Sequence, residues 1–347
     1  MGTLLSYSGL STKIRSMQSR LIQLDQFEKI SQMDSVPQVV AYLKQQPGFQ
    51  KLWANLDETS LHRGDIERLL RYTIYQNFTK IYKFSNDEQR KFLALYFKRY
   101  ELFVMKACLR NIFDHRDVEL ELSLFEEFFD LHSKLNLSKI TSSATIEEFI
   151  HNIKGSEYYI PLNRLLNSDA EHPTVFDYGM ALDQYYFSLI WKMKGKFFSG
   201  IDLKEITMAY GRKFDMLNLA WIYRSKRYYH MSAPAIYALL IPMQYKLHKE
   251  EITALVESDI DEFSKLLSQT YYGKTFQELA PETLEETYTH VLRSILKTEA
   301  RRNPHSVAVI YSYLYHKEHE VDRLITAIEC VRYQVSPEEA MKHILKN

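Results

Sequence analysis

The sequence predicts an all-α protein in which one helical unit is used three times. Three observations lead there. Gly and Pro number only 10 and 9 in 347 residues, so the chain has few of the residues that break helices. Apolar residues recur at i, i+3, i+4 and i+7, as one buried face of a helix requires, and no stretch shows the alternation of a half-buried strand. A short pattern, Tyr-x-[Lys/Arg]-x-[aromatic or His]-acid-apolar, also occurs three times. It begins at Tyr96, Tyr210 and Tyr315, with Lys98, Arg212 and Lys317 as the bases and Glu101, Asp215 and Glu320 as the acids. The copies lie about 110 residues apart, which is the size of a small domain and too long for a solenoid repeat.

The elements of the unit follow in a fixed order. The first is short. Val36, Val39, Val40 and Leu43 lead to Phe49 and Trp53. Ile146, Phe149, Ile150 and Ile153 lead to Tyr159 and Leu162. Ile260, Phe263 and Leu267 lead to Tyr271, Tyr272 and Phe276. Asp34-Ser35, Ser143 to Thr145 and Ser258-Asp259 stand before them as N-caps, because a short oxygen-bearing side chain can accept from the free N–H groups of a first turn. A long amphipathic stretch comes next, over residues 65–84, 176–198 and 284–298. The helix carrying the Tyr-base-acid pattern closes each unit. Domains are therefore expected over residues 1–120, 121–235 and 236–347. Within each pattern the base and the acid are three apart and share a helix face. They make either a surface ion pair of small value or three like groups turned toward a shared cavity.

Composition excludes several functions. The 44 Lys and Arg balance 44 Asp and Glu, and there is no basic run of the kind that binding a phosphate backbone demands, so no nucleic-acid partner is expected. Arg224, Lys226 and Arg227, and Arg301 with Arg302, read as solvated helix ends. Cys108 and Cys330 lie far apart and in no CxxC pattern, so both are expected as buried free thiols. No apolar stretch approaches the ~20 residues that span a bilayer. The densest, Ala233 to Met243, is short and holds two prolines. Gly273-Lys274-Thr275 resembles the end of a phosphate loop, but Ser268 stands where that loop needs its first Gly. His316, His319 and Glu320 share a helix without the further ligands a metal requires. No nucleophile elbow or dinucleotide-binding glycine pattern occurs. No catalytic residue, cofactor or metal is assigned.

The chain resembles a known family. Ser11 to Ile22 is similar to its N-terminal run, with Ser11 where that run carries Asn. Leu182 to Phe187 with Trp191, and Asp215 to Arg224, resemble its second domain. Asn303-Pro304, Tyr313 to Glu320, Arg323-Leu324 and Arg332-Tyr333 resemble its C-terminal block. The family is the C component of prokaryotic V-type and A-type ATPases, related to the d component of the vacuolar enzyme, and the resemblance covers nearly the whole chain. It implies three similar helical domains around a pseudo-threefold axis, forming a funnel. It also implies a non-catalytic socket on the cytoplasmic face of the membrane. One side would receive the D and F proteins of the central stalk, and the other would sit on the proteolipid ring, passing torque between them for ion transport or ATP synthesis. The recurrence of the pattern then makes Tyr96, Glu101, Tyr210, Asp215, Tyr315 and Glu320 the candidate partner interface. A helical scaffold of another complex is the second reading, although it gives no reason for three matched domains.

Overall fold

A computed structural model describes residues 2–57, 61–115, 122–168, 173–276 and 279–346. Among these, every regular element is a helix. In chain order they are α1 (Gly2–Gln18), α2 (Leu24–Ser31), α3 (Val36–Lys44), α4 (Gln50–Trp53), α5 (Arg63–Phe84), α6 (Asp87–Phe113), α7 (Ser123–His132), α8 (Leu137–Thr141), α9 (Ile146–Asn152) and α10 (Tyr159–Leu166). There follow α11 (Val175–Phe197), α12 (Gly200–Arg227), α13 (Ala233–Leu239), α14 (Lys249–Glu257), α15 (Phe263–Gln269), α16 (Tyr271–Thr275), α17 (Leu284–Arg302), α18 (Val307–Arg332) and α19 (Pro337–Lys346). The all-α class holds. The three long amphipathic stretches are α5, α11 and α17, and the three pattern-bearing helices are α6, α12 and α18, at 27, 28 and 26 residues.

The expected caps form in part. Thr145 Oγ1 accepts from the Glu148 backbone N–H at 3.2 Å. Ser35 precedes α3 with extended backbone but makes no side-chain cap bond. At Asp259 a short 3₁₀ turn, Ile260–Glu262, leads into α15.

The chain divides into two compact units, residues 1–86 with 285–347, and residues 87–284. In the first, α18 is the core helix. Val307 through Tyr315 are buried without a break, as expected of a helix surrounded by packing partners on all sides. It packs against α1, α2, α3, α5 and α19. On α19 only Ala340 and Ile344 are buried, and full burial of a side chain like Ile344 contributes roughly 2 kcal/mol.

In the second unit α11 packs against α6 and α12. Aromatic rings fill the joints. Phe97 of α6 meets Phe128 and Phe129 of α7 at 5.2 and 5.3 Å between ring centres. Phe187 and Trp191 of α11 meet Phe214 of α12 at 5.0 and 5.7 Å. Lys106 of α6 pairs with Asp183 of α11 at 2.6 Å.

Two glycines are fixed by close approach. A Cβ on Gly211 would lie 2.5 Å from the Tyr245 ring, and one on Gly273 would lie 2.2 Å from the Leu267 carbonyl. Gly273-Lys274-Thr275 is thus the end of a short helix pressed against α15, and its glycine serves backbone packing.

Both cysteines are buried free thiols. Burial pushes the Cys108 thiol up to about 12. Lys226 departs from the solvated end expected of it. Its Nζ donates to the carbonyls of Leu255 at 3.1 Å, Val256 at 2.7 Å and Ser258, closing the C-terminus of α14, where the free carbonyls attract a cation.

Candidate interface: three buried acids

Glu101, Asp215 and Glu320 are 1%, 0% and 4% exposed. None of them forms a surface ion pair. Each lies midway along its helix and accepts hydrogen bonds from chain that leads into a short helix.

Glu320 on α18 accepts from the Ile22 backbone N–H at 2.7 Å, just before α2. Its second oxygen pairs with Lys317. The Lys317 ammonium is itself buried and stands 4.7 Å from the centre of the Phe49 ring.

Asp215 on α12 accepts from three successive backbone N–H groups just before α14. These are Tyr245 at 3.1 Å, Lys246 at 2.6 Å and Leu247 at 3.0 Å. The Tyr272 hydroxyl donates to it at 2.7 Å. Burial pushes the Asp215 carboxyl upward, and the backbone N–H groups and the Tyr272 hydroxyl oppose that shift. Arg212, the base of this copy, makes no ion pair with it, and the Arg212 Nε is buried without a hydrogen-bond partner among the described residues.

Glu101 on α6 accepts from the Ser133 hydroxyl, whose oxygen in turn accepts from the Leu135 N–H at 3.0 Å, just before α8. Its other oxygen takes the Tyr158 hydroxyl at 2.6 Å and Lys98 at 2.9 Å. Lys98 bridges on to Glu157 at 2.9 Å and lies 5.8 Å from the Tyr158 ring centre.

The arrangement therefore recurs. An acid of the pattern helix holds the chain ahead of α2, α8 or α14. An aromatic two short helices later, Phe49, Tyr158 or Tyr272, covers the base or the acid. Each acid binds a different segment of the chain.

The tyrosines of the pattern are buried as well. Tyr96 is 0%, Tyr210 1% and Tyr315 5% exposed. Each packs against the ring four residues on, one helical turn away: Tyr96 on Tyr100 at 6.0 Å, Tyr210 on Phe214 at 6.0 Å, and Tyr315 on His319 at 4.2 Å. The pattern is an aromatic i,i+4 pair followed by a buried acid. All six candidate side chains are buried. The loops that the acids hold do reach solvent, with Gln23, Lys134 and Lys246 exposed at their tips.

Sequence reasoning missed Ser133, the three N–H groups at 245–247 and the Asn218 clamp. Asn218 of α12 donates to the Ile241 carbonyl at 3.0 Å and accepts from the Ile241 N–H at 2.8 Å. An available signal was the setting of each acid between large apolar neighbours, as in Tyr100-Glu101-Leu102 and Phe214-Asp215-Met216.

Among the described residues no group of three or more His, Cys, Asp or Glu could hold a metal ion, and no helix is long and apolar enough to cross a membrane.

Comparison with known proteins supplies the family context. Residues 10–343 match the family model described as ATP synthase (C/AC39) subunit. The chain is 23% identical to the C component of the A-type ATP synthase of Methanosarcina mazei, over 92% of this chain and 87% of that one. The proteins of the same name from Methanocaldococcus jannaschii and Pyrococcus abyssi are 21% and 23% identical, each over 96% of this chain, covering 84% and 88% of their own lengths.

Proposed function

The chain belongs to the ATP synthase (C/AC39) subunit family, and from that membership we propose that it is the adaptor between the rotating shaft and the membrane ring of a rotary ATPase. It is a structural component, peripheral to the membrane and without an active site of its own. On this reading it stands on the cytoplasmic face. The D and F proteins of the central stalk enter a socket formed by three similar helical domains around a pseudo-threefold axis, and the proteolipid ring lies beneath. ATP is hydrolysed or made elsewhere in the complex.

The observation that carries this reading is the recurrence of one buried hydrogen-bonded arrangement at Glu101, Asp215 and Glu320. A torque adaptor needs stiffness more than reactivity. Close-packed aromatic joints and buried acids that clamp successive loops supply it. The partner-facing wall is then made by the loops at 22–24, 133–136 and 244–248, with Tyr96, Glu101, Tyr210, Asp215, Tyr315 and Glu320 supporting it from behind. Charge reversal at the acids would test folding rather than docking, so the exposed tips carry the test.

The experiment measures binding of the purified chain to a purified D–F pair and, separately, to proteolipid rings in detergent. Wild type is expected to bind both. Lys134→Glu with Lys246→Glu should weaken the D–F complex in a salt-sensitive manner while unfolding stays unchanged. A folded chain that binds neither partner would return it to the scaffold of some other complex. Unaltered D–F binding by the double variant would remove these loops from the wall.

A further inference from the structure

The first unit contains a pocket of about 600 Å³ between the end of α1, the turn into α2, and the facing sides of α17 and α18. Arg15, Arg293, Lys297, Arg301 and Arg323 line it. Glu320 is the one carboxylate among its lining residues, and it is already engaged by Lys317 and the Ile22 N–H.

Helix-end electrostatics account for some of these cations and not for others. Arg15 and Arg301 stand in the last turns of α1 and α17, where the free carbonyls favour positive charge. Arg293 and Arg323 stand mid-helix, where no such field acts. The Arg323 Nε is buried and donates to nothing among the described residues, a costly state for part of a guanidinium. Burial and the neighbouring Arg293 lower the Arg323 guanidinium to about 10, and burial lowers Arg293. Like charges are thus gathered in a half-buried space whose one lining carboxylate is committed elsewhere.

We infer that this pocket binds a compact phosphate-bearing ligand, free in solution or as the headgroup of an anionic lipid. The shape argues for it over an acidic protein segment. The cations converge from three helices into one concavity, whereas an acidic segment would call for a stripe along a face. Guanidinium forks also match phosphate oxygens two at a time. The ligand would take the hydrogen bond that the Arg323 Nε lacks and would screen Arg293 from Arg323. The inference is independent of the adaptor reading.

The test uses the full chain with two probes, inorganic pyrophosphate and phosphatidylcholine vesicles containing phosphatidic acid. Calorimetric titration should show saturable pyrophosphate binding and thermal unfolding a matching rise in Tm. Arg323→Gln should weaken binding by about tenfold or more, the worth of a charge-assisted bond, without lowering the Tm of the unliganded protein. Arg323→Lys, which keeps charge but loses the fork, should fall between. Arg227→Gln, an exposed cation of the other unit, should bind as wild type. Arg323-dependent binding to the acidic vesicles alone would assign a lipid headgroup, and competition of pyrophosphate with those vesicles would assign a shared phosphate site. The inference is overturned if neither probe binds, or if Arg323→Gln binds both as well as wild type.

Discussion

Glu320 in the first unit and Asp215 in the second hold matching places on α18 and α12, yet they are kept by opposite means. Glu320 accepts one backbone N–H and relies on the buried ammonium of Lys317. Asp215 accepts from three backbone N–H groups and a tyrosine hydroxyl and leaves its own base, Arg212, aside. One is a buried ion pair and the other a solvated-ion mimic built from neutral dipoles. A buried carboxylate can be stabilised by one full charge or by several oriented donors. The second route lets the local base be lost without leaving the acid uncompensated.

The contrast is tested most severely at Asp215. Asp215→Ala strands four donors inside the second unit, each worth about 1–3 kcal/mol when buried and unmet. With partial relaxation the loss should reach about 4 kcal/mol, read as a shift in the urea midpoint. A loss below about 1 kcal/mol would mean that water replaces the carboxylate freely and that the loop is not clamped. Lys317→Met should come next, at about 3 kcal/mol, because it removes the charge partner of a buried acid and leaves Glu320 with one donor. The double variant Lys317→Met with Glu320→Gln should recover most of that loss, and a double-mutant cycle measures the coupling. Absence of coupling would break the claim that Glu320 depends on its lysine. Arg212→Met is expected to be near neutral, within about 1 kcal/mol, since it removes a guanidinium whose Nε has no partner among the described residues. A loss comparable to that of Lys317→Met would erase the contrast between the two units.

Much of this organisation could be read from the sequence, and what could not has a common cause. The helices follow from apolar spacing and the scarcity of Gly and Pro, because both are local properties. The Tyr-base-acid pattern was visible, and its i,i+4 rings follow from helix geometry. The burial of the acids was signalled in the sequence only by their large apolar neighbours, because the groups that satisfy them are remote in the chain. Ile22 binds Glu320, and Tyr272 binds Asp215. A base three residues before an acid looks alike on the surface and in the core, and beyond those apolar neighbours the remote donors tell the two apart. The same holds for Lys226, whose position at a helix end suggests solvent, whereas the carbonyls of Leu255 and Val256 stand against it. The compact units also differ from a linear division. The expected cut at 235/236 falls inside the second unit, and the cut at 120/121 lies outside the described residues. The first and last segments share one unit because α18 packs on α1, α2 and α5. Such a grouping is compatible with three repeats in which each acid reaches into the next repeat, and that arrangement remains our proposal.

The smallest expected effect concerns the surroundings of the two acids. Asp215 sits among tyrosines, whereas Glu320 has a cationic neighbourhood, and His316 on the same helix reports on it. Burial lowers the His316 imidazole first, and the nearby Arg293, Lys297 and Arg323 lower it further, against a hydrogen bond to the Ser312 carbonyl that raises it. That bond, at 2.6 Å, is donated by Nδ1, so the neutral ring is held as one tautomer. The folded chain thus binds this proton less readily than the unfolded chain, whose histidine titrates near 6.5. Stability from this group is complete above that unfolded value and is lost as pH falls from there through the depressed folded value. His316→Asn should therefore flatten the fall in urea midpoint between about pH 6.5 and 5 relative to wild type. Pyrophosphate bound in the pocket that His316 itself lines should flatten it too by screening the three cations. An identical slope in variant and wild type would show that His316 protonates equally well in both states, and that the cations around Glu320 do not act on the helix that carries it.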